Sequence, residues 1–345
     1  MKIYRTATLS LIIPAFFLLS GCLEEQVHTN ISADGSSERV ISMRLPSKQL
    51  PDQAFPIPSD SSWRVEWKET GENDSTSKYE YVARKMFQTP DDLHREYKSL
   101  PDTGAVGIDV SIDKTFEWFF TYINFREVYT YRNPFGNVPV SDYLTREEIN
   151  LFQRDAKNDS LKRKVKRWSD RDEFEEFYRP LVTEAQRRND GGVLSSLLRD
   201  KKEDCFDKIM ALDSLHKVDS TVKQLDNLED ILRFLAKALD TDTILGLRPV
   251  AEQAFGTIAR KESNVKHPDG WKYTVQMPGL ILESNSDDLE GNTITWKFNP
   301  DQVKVGDYTM HAASRTTNIW AFVTTGIMVL FVALIFTRHG VRLHK

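Results

Sequence analysis

Trp271-Lys272-Tyr273-Thr274-Val275-Gln276-Met277 alternates apolar and polar residues at every step, the period of a strand with one face on a core. Leu280 and Leu282 form the next strand, and Asp287 to Asn292 is a turn-rich loop. Ile294, Trp296 and Phe298 then face one way against Thr293, Thr295 and Lys297. A last strand near Tyr308 to Ala313 leads toward an uncharged apolar run. One-sided alternation of this kind marks an antiparallel sheet with a solvated face.

Strands also open the chain. Val27 and Ile31 alternate with His28 and Asn30, Asp34-Gly35 supplies turn chemistry, and Ile41, Met43 and Leu45 alternate on the return, which reads as a hairpin. A second hairpin pairs Trp63, Val65 and Trp67 with Tyr79, Tyr81 and Ala83 around the polar loop Thr70 to Ser77. Thr89-Pro90-Asp91-Asp92 opens a short helix with Thr89 as cap. Two longer strands are expected over 106–113 and 115–131, the second dense in aromatic residues: Phe116, Trp118, Phe119, Phe120, Tyr122, Phe125, Tyr129 and Tyr131. Apolar residues on both faces predict a central, doubly covered strand. The other reading is an aromatic groove for a lipid or peptide, with Trp118, Phe120 and Tyr122 as its ligand-binding residues.

From near Val140 to about Ser263 the period changes to that of helices. Phe174, Phe177, Tyr178, Leu181 and Val182 share one helix face, which Pro180 should kink or split. Val193, Leu194, Leu197 and Leu198 begin another helix, and Leu225, Leu228, Ile231, Leu232, Leu235 and Leu239 continue the spacing. About five or six helices are expected. Strands flank this block on both sides, so the predicted architecture is α+β: a mainly antiparallel β-sheet domain with an α-helical insertion, plus a C-terminal transmembrane helix.

Both ends read as membrane anchors. Lys2 and Arg5 precede a short apolar run from Leu9 to Leu19, which closes on Leu19-Ser20-Gly21-Cys22. This is the layout of an export signal, and its end resembles the lipobox of bacterial lipoproteins, which implies Cys22 as the lipidated residue. Ile319 to Phe336 carries no charge and as a helix is about 27 Å long, enough to cross the hydrocarbon core. Trp320 stands at its edge, and Arg338, Arg342 and Lys345 follow, so the positive-inside rule puts the tail in the cytoplasm. The expected division is 1–21 signal peptide, 22–139 and 266–317 β-rich domain, 140–265 helical insertion, 318–337 transmembrane helix and 338–345 cytoplasmic tail. The expected location is the cytoplasmic (inner) membrane, with the bulk of the chain on the periplasmic or extracellular side.

The chain has 46 basic and 51 acidic residues, and removing the five basic residues of the two ends leaves a body near −10. That charge argues against nucleic acid as a partner. Of the two cysteines, Cys22 is assigned to lipid and Cys205 reads as a buried structural thiol. The seven histidines form no HExxH pair, and no Cys spacing supports zinc. His28 and His311 lie in strands close to the anchors and carry no argument for a metal. No GxSxG, SxxK or Walker loop is present. Glu147-Glu148, Glu175-Glu176 and Asp287-Asp288 read as solvated charge, and the basic stretch Lys162 to Arg167 is balanced by Asp170, Asp172, Glu173, Glu175 and Glu176. No cofactor and no enzymatic activity are expected.

The lipobox, the Asp34-Gly35 hairpin after it, Met277-Pro278-Gly279, and Gly291-Asn292-Thr293-Ile294-Thr295-Trp296 together resemble the LppM-like bacterial membrane-anchored lipoproteins. The resemblance covers roughly residues 22–46 and 271–337, and the helical block departs from it. It implies an α+β envelope module with a C-terminal membrane helix and offers no catalytic residue. The expected role is a non-enzymatic cell-envelope lipoprotein whose helical insertion meets a protein partner. The alternative is a carrier or sensor of an apolar envelope molecule.

Overall fold

The computed structural model describes residues 24–50, 61–70, 78–99, 106–188, 192–218, 228–263, 270–286 and 288–343. Cys22, Leu225 and most of the loop 70–77 lie outside them. In chain order the elements are β1 Glu24–Ile31, β2 Ser37–Leu45, β3 Arg64–Glu69, β4 Tyr79–Phe87, α1 Pro90–Lys98, β5 Val106–Glu117 and β6 Phe120–Tyr131. The helical block is α2 Arg146–Arg154, α3 Asp159–Arg188, α4 Val193–Asp200, α5 Lys202–Val218, α6 Leu228–Leu239 and α7 Arg248–Ser263. Then come β7 Gly270–Gln276, β8 Leu280–Ser284, β9 Asp288–Glu290, β10 Thr293–Phe298, α8 Pro300–Lys304, β11 Tyr308–Thr317 and α9 Ile319–Leu343. The class is α+β.

The strands form two sheets. One has the order β3-β4-β2-β1-β7-β10-β9 and the other β5-β6-β11-β8. All pairings are antiparallel except β1 with β7, which brings the first strand alongside the strand that follows the helical block. The alternation in β2 and β7 fixes which face points inward, because each second residue is buried. Val27, Ile41, Met43, Tyr273 and Trp296 from one sheet share a core with Val110, Ile123, Phe125, Tyr129 and Met310 from the other. Met277-Pro278-Gly279 is one of the crossovers between the sheets, from β7 to β8. Gly279 has φ +75°, and a Cβ there would collide with the carbonyl of Arg315, so only glycine lets β8 start against β11.

An ion pair stands in this otherwise apolar core. Arg39 of β2 donates to both carboxylate oxygens of Glu127 of β6, at 2.9 and 2.7 Å, with both side chains buried. Tyr273 donates to Glu127 at 2.5 Å, and Thr29 lies 3.0 Å from the Tyr273 hydroxyl. The Arg39 guanidinium sits 4.3 Å from the Tyr97 ring centroid. A third charge-bearing group, Glu25 of β1, is buried in the same region. Burial pushes its carboxyl up to about 8; Glu127 adds to the rise, while Arg39 and the Trp271 indole oppose it.

The helical block has its own core, in which Phe174, Tyr178, Leu181, Leu198, Phe206, Leu235 and Leu247 pack together. A small apolar cluster of Leu144, Phe152, Leu161, Val165, Trp168 and Val305 joins it to the sheet domain, and polar contacts reinforce the joint. Asp172 of α3 accepts from Asn133 Nδ2 and from the backbone N–H groups of Gly136, Asn137 and Val138 at the exit of β6. Gln153 of α2 donates to the carbonyls of Gln302, Gly306 and Asp307, and Gln302 returns a bond to the Gln153 carbonyl.

Three expectations need correction. Pro180 does not split α3, which runs unbroken for 30 residues. The bond lost by its missing N–H is outweighed by burial of Phe177, Tyr178 and Leu181 around it. The turn between the two long strands falls at Trp118-Phe119 rather than near residue 114, because β5 pairs with β6 as far as Glu117↔Phe120. Phe116, Trp118 and Phe119 therefore belong to a hairpin tip, not to the interior of a doubly covered strand. The strands also form two facing sheets rather than one, and the chain passes between them several times, once at Pro278-Gly279.

The Glu25 carboxyl makes stability depend on pH. Unfolded, it titrates near 4.5; folded, it keeps its proton to about 8. Between those values the native state binds more protons than the unfolded chain, so stability falls as pH rises, by roughly 3–5 kcal/mol, and is level above the folded value. Thermal unfolding of the detergent-solubilised full chain across this range should show that slope, and Glu25→Gln should flatten it. An unchanged slope in the variant would assign the titration to another group.

Candidate functional site

The chemistry-bearing motifs offer no site. Among the described residues no three His, Cys, Asp or Glu side chains gather in a way that could hold a metal. His311 lies 3.3 Å from the exposed Glu283. Cys205 is buried against the Tyr178 hydroxyl, and burial pushes its thiol up. Glu148 pairs with Lys164, Glu175 with Arg171 and Lys202, and Glu176 with Lys261. In the basic stretch Lys166 meets Asp170 and Arg167 meets Asp207. A cleft of about 460 Å³ lies between the end of β4 and α1, lined by Lys85, Met86, Phe87, Asp92, Arg95 and Glu96 among others. Its Lys85 and Arg95 are already paired with Glu96 and Asp92.

The end of the four-stranded sheet is different. There β11 passes into α9 with only Asn318 between them. Residues Ile319–Thr337 make the one helix among the described residues that is long and apolar enough to cross a membrane, and it is almost entirely exposed. A helix with exposed Ile, Leu, Val and Phe on all sides has no stable seat in water.

Asn318 stands where an Asn side chain commonly caps a helix, yet here its side chain is directed at the β5–β6 hairpin. Its Nδ2 donates to the carbonyls of Glu117 and Trp118, at 3.0 and 3.3 Å, and its Oδ1 accepts from Thr121. Its backbone N–H donates to the Phe119 carbonyl at 2.9 Å. The hairpin tip is thus tied to the start of the helix, and aromatic contacts complete the joint. Phe116 stacks on Trp320 at 6.1 Å, and Trp118 meets the same indole edge-on at 5.2 Å. Phe119 and Phe120 lie 4.6 and 6.1 Å from Phe322. Trp118 donates from Nε1 to Thr325, a turn and a half into the helix, at 2.9 Å.

Of the three residues expected to line a ligand groove, Trp118 and Phe120 therefore lie against the first turns of α9. Tyr122 stands one step up β6, opposite Arg315 of β11. The Arg315 guanidinium sits 4.6 Å from the Phe120 ring centroid. The sequence reading missed Asn318, Arg315 and Thr325. An Asn at the border between strand alternation and an apolar run was the available signal. Its hairpin partner, some 200 residues earlier in the chain, left none.

No family model matches the chain, and no curated protein matches it. Among solved structures, the folded domain of LppM from Mycobacterium tuberculosis is similar at 11% identity and a TM-score of 0.30, covering 86% of this chain and 91% of that one.

Asn318→Ala should remove three side-chain hydrogen bonds from the joint and loosen it by on the order of 2 kcal/mol. Hydrogen exchange of the detergent-solubilised full chain should then speed up at least about tenfold, as that energy implies, in peptides covering 116–123. Exchange in β1 and β7 should stay at the parent rate. Unaltered exchange at 116–123 would mean that the ring contacts alone hold the tip.

Proposed function

We propose that this chain is a membrane-tethered, non-enzymatic interaction module of a bacterial cell envelope, with its body on the outer side of the cytoplasmic membrane. One observation carries the reading: β11 continues through a single clamped residue into an almost entirely exposed apolar helix, so the folded body and the membrane segment are one mechanical piece. The lipobox ending in Cys22 supports a second, lipid anchor at the opposite end of the chain. The basic residues after the helix support a cytoplasmic tail.

The helical block is the part offered to a partner. It is a unit inserted between β6 and β7 with its own main core, joined to the sheets by Asp172 and Gln153 and by a small apolar cluster that includes Phe152, Trp168 and Val305. Its surface charges alternate in sign along ion-paired helix faces, a pattern suited to a protein partner and not to nucleic acid.

The two anchors are separable by mutation. Cys22→Ser alone should leave the protein in the membrane fraction through α9, and deletion of 319–345 alone should leave it there through the lipid. Combining that deletion with replacement of residues 1–22 by an export signal cleaved without lipidation should release the body into the soluble fraction, since neither the spanning helix nor a lipid nor an uncleaved signal would remain. A soluble Cys22→Ser single variant would contradict the helix as an anchor, and a membrane-bound double variant would require an attachment that this reading lacks.

A further inference from the structure

We propose that the hairpin tip and the first turns of α9 form a collar seated in the bilayer interface, in which Arg315 takes a phospholipid phosphate. The inference rests on the reading of α9 as a membrane helix. It goes further by placing part of the folded body in the lipid and by naming the headgroup chemistry that it meets.

The collar is partly satisfied and partly bare. Phe116 and Trp118 pack on Trp320, and Phe119 packs on Phe322, yet Phe116, Trp118, Trp320 and Phe322 remain 55%, 45%, 52% and 47% exposed. Leu280, paired with Arg315 at the sheet edge, is 58% exposed. Large rings left half in the open on two different elements make a contiguous apolar patch, which in water is costly and marks an interaction surface. Two of those rings are residues 320 and 322, the second and fourth residues of the apolar helix. A soluble partner covering Phe116 and Trp118 would have to cover the helix entrance as well. A bilayer that takes in the helix reaches the collar without any further partner, and Trp rings favour this depth because one edge is apolar and the N–H stays hydrogen-bonded. Trp118 shows that arrangement, with its N–H on Thr325 and its ring open.

Arg315 supplies the polar half. It lies four residues before the first residue of the helix with its guanidinium over the Phe120 ring, and among the described residues no carboxylate lies within ion-pair distance of it. Glu117, the one acid in the tip from Lys114 to Phe120, is exposed and offers Asn318 its backbone carbonyl rather than its side chain. A cation of this kind, with its stem on an aromatic ring and its head at the level where the helix enters lipid, is placed to snorkel to the phosphate layer. The bidentate fork of a guanidinium suits a phosphate diester. Near an anionic leaflet one such cation confers a preference of about fivefold for an anionic over a zwitterionic lipid.

The test uses the full chain in vesicles of equal parts phosphatidylglycerol and phosphatidylcholine. A photoreactive benzoylphenylalanine replaces Phe116 in one sample and Ile327, in the middle of the helix, in another. Lipid adducts at both positions, identified by mass, are the expected result. Adducts at 327 but none at 116 overturn the collar and leave the membrane helix standing; adducts at neither overturn both. In the sample labelled at 116, phosphatidylglycerol should exceed phosphatidylcholine among the adducts. Arg315→Gln should bring that ratio close to one and Arg315→Lys should preserve much of it. A ratio indifferent to Arg315→Gln would remove the arginine from the headgroup site.

Discussion

A carboxylate buried between two sheets is tenable only if a cation is buried with it, and the pair Arg39–Glu127 meets that condition across the inter-sheet gap. Losing either partner alone would strand a charge in an apolar core at a cost of about 3–5 kcal/mol. The pair therefore fixes which face of β2 meets which face of β6, and a slip of one residue in either strand would turn a charge outward and its apolar neighbours with it. Everything else hangs on that registration. β6 is paired on one side with β5, whose hairpin tip meets the helix, and on the other with β11, which becomes the helix.

Much of this was legible in the residues. The strict alternation of β7 and β10, the Thr89-Pro90 start of α1 and the apolar face of α3 are local signals, and each appears where the spacing placed it. What was not legible depends on partners distant in sequence. Arg39 and Glu127 stand at inward phases of their strands, between Ser37 and Ile41 and between Phe125 and Tyr129. A single inward charge reads as an interruption of the pattern until its counter-charge, 88 residues away, is known. Met277-Pro278-Gly279 could be recognised as a turn, but not as a step from one sheet to the other, because only the approach of the Arg315 backbone reveals what the missing side chain permits. The aromatic run was read as one covered strand because its residues suit both faces equally, and the turn at Trp118-Phe119 carries neither Gly nor Pro to announce itself.

The membrane-proximal end joins these threads. A helix bound for lipid usually follows a linker that lets the soluble part turn freely, and here the linker is one residue whose side chain is bonded to the neighbouring hairpin. With the helix in a membrane, as proposed, the body would be held at a set height and tilt over the bilayer. In the proposed reading, a lipid on Cys22, two residues before β1, would tether the same sandwich from a second strand and restrict it further. The helical block, joined to the exit of β6 by Asp172, would be carried at a defined distance from the surface, which is what a module presenting a binding face to another envelope component requires.

The central claim is that body and membrane helix move as one piece. Spin labels on Val193→Cys, in the exposed start of α4, and on Phe336→Cys, near the far end of the apolar segment, would report it in the bilayer-reconstituted full chain, Cys205 being buried away from the reagent. A single narrow distance distribution is predicted, broadened by Asn318→Ala. A broad distribution in the parent protein, unchanged by that substitution, would contradict the account.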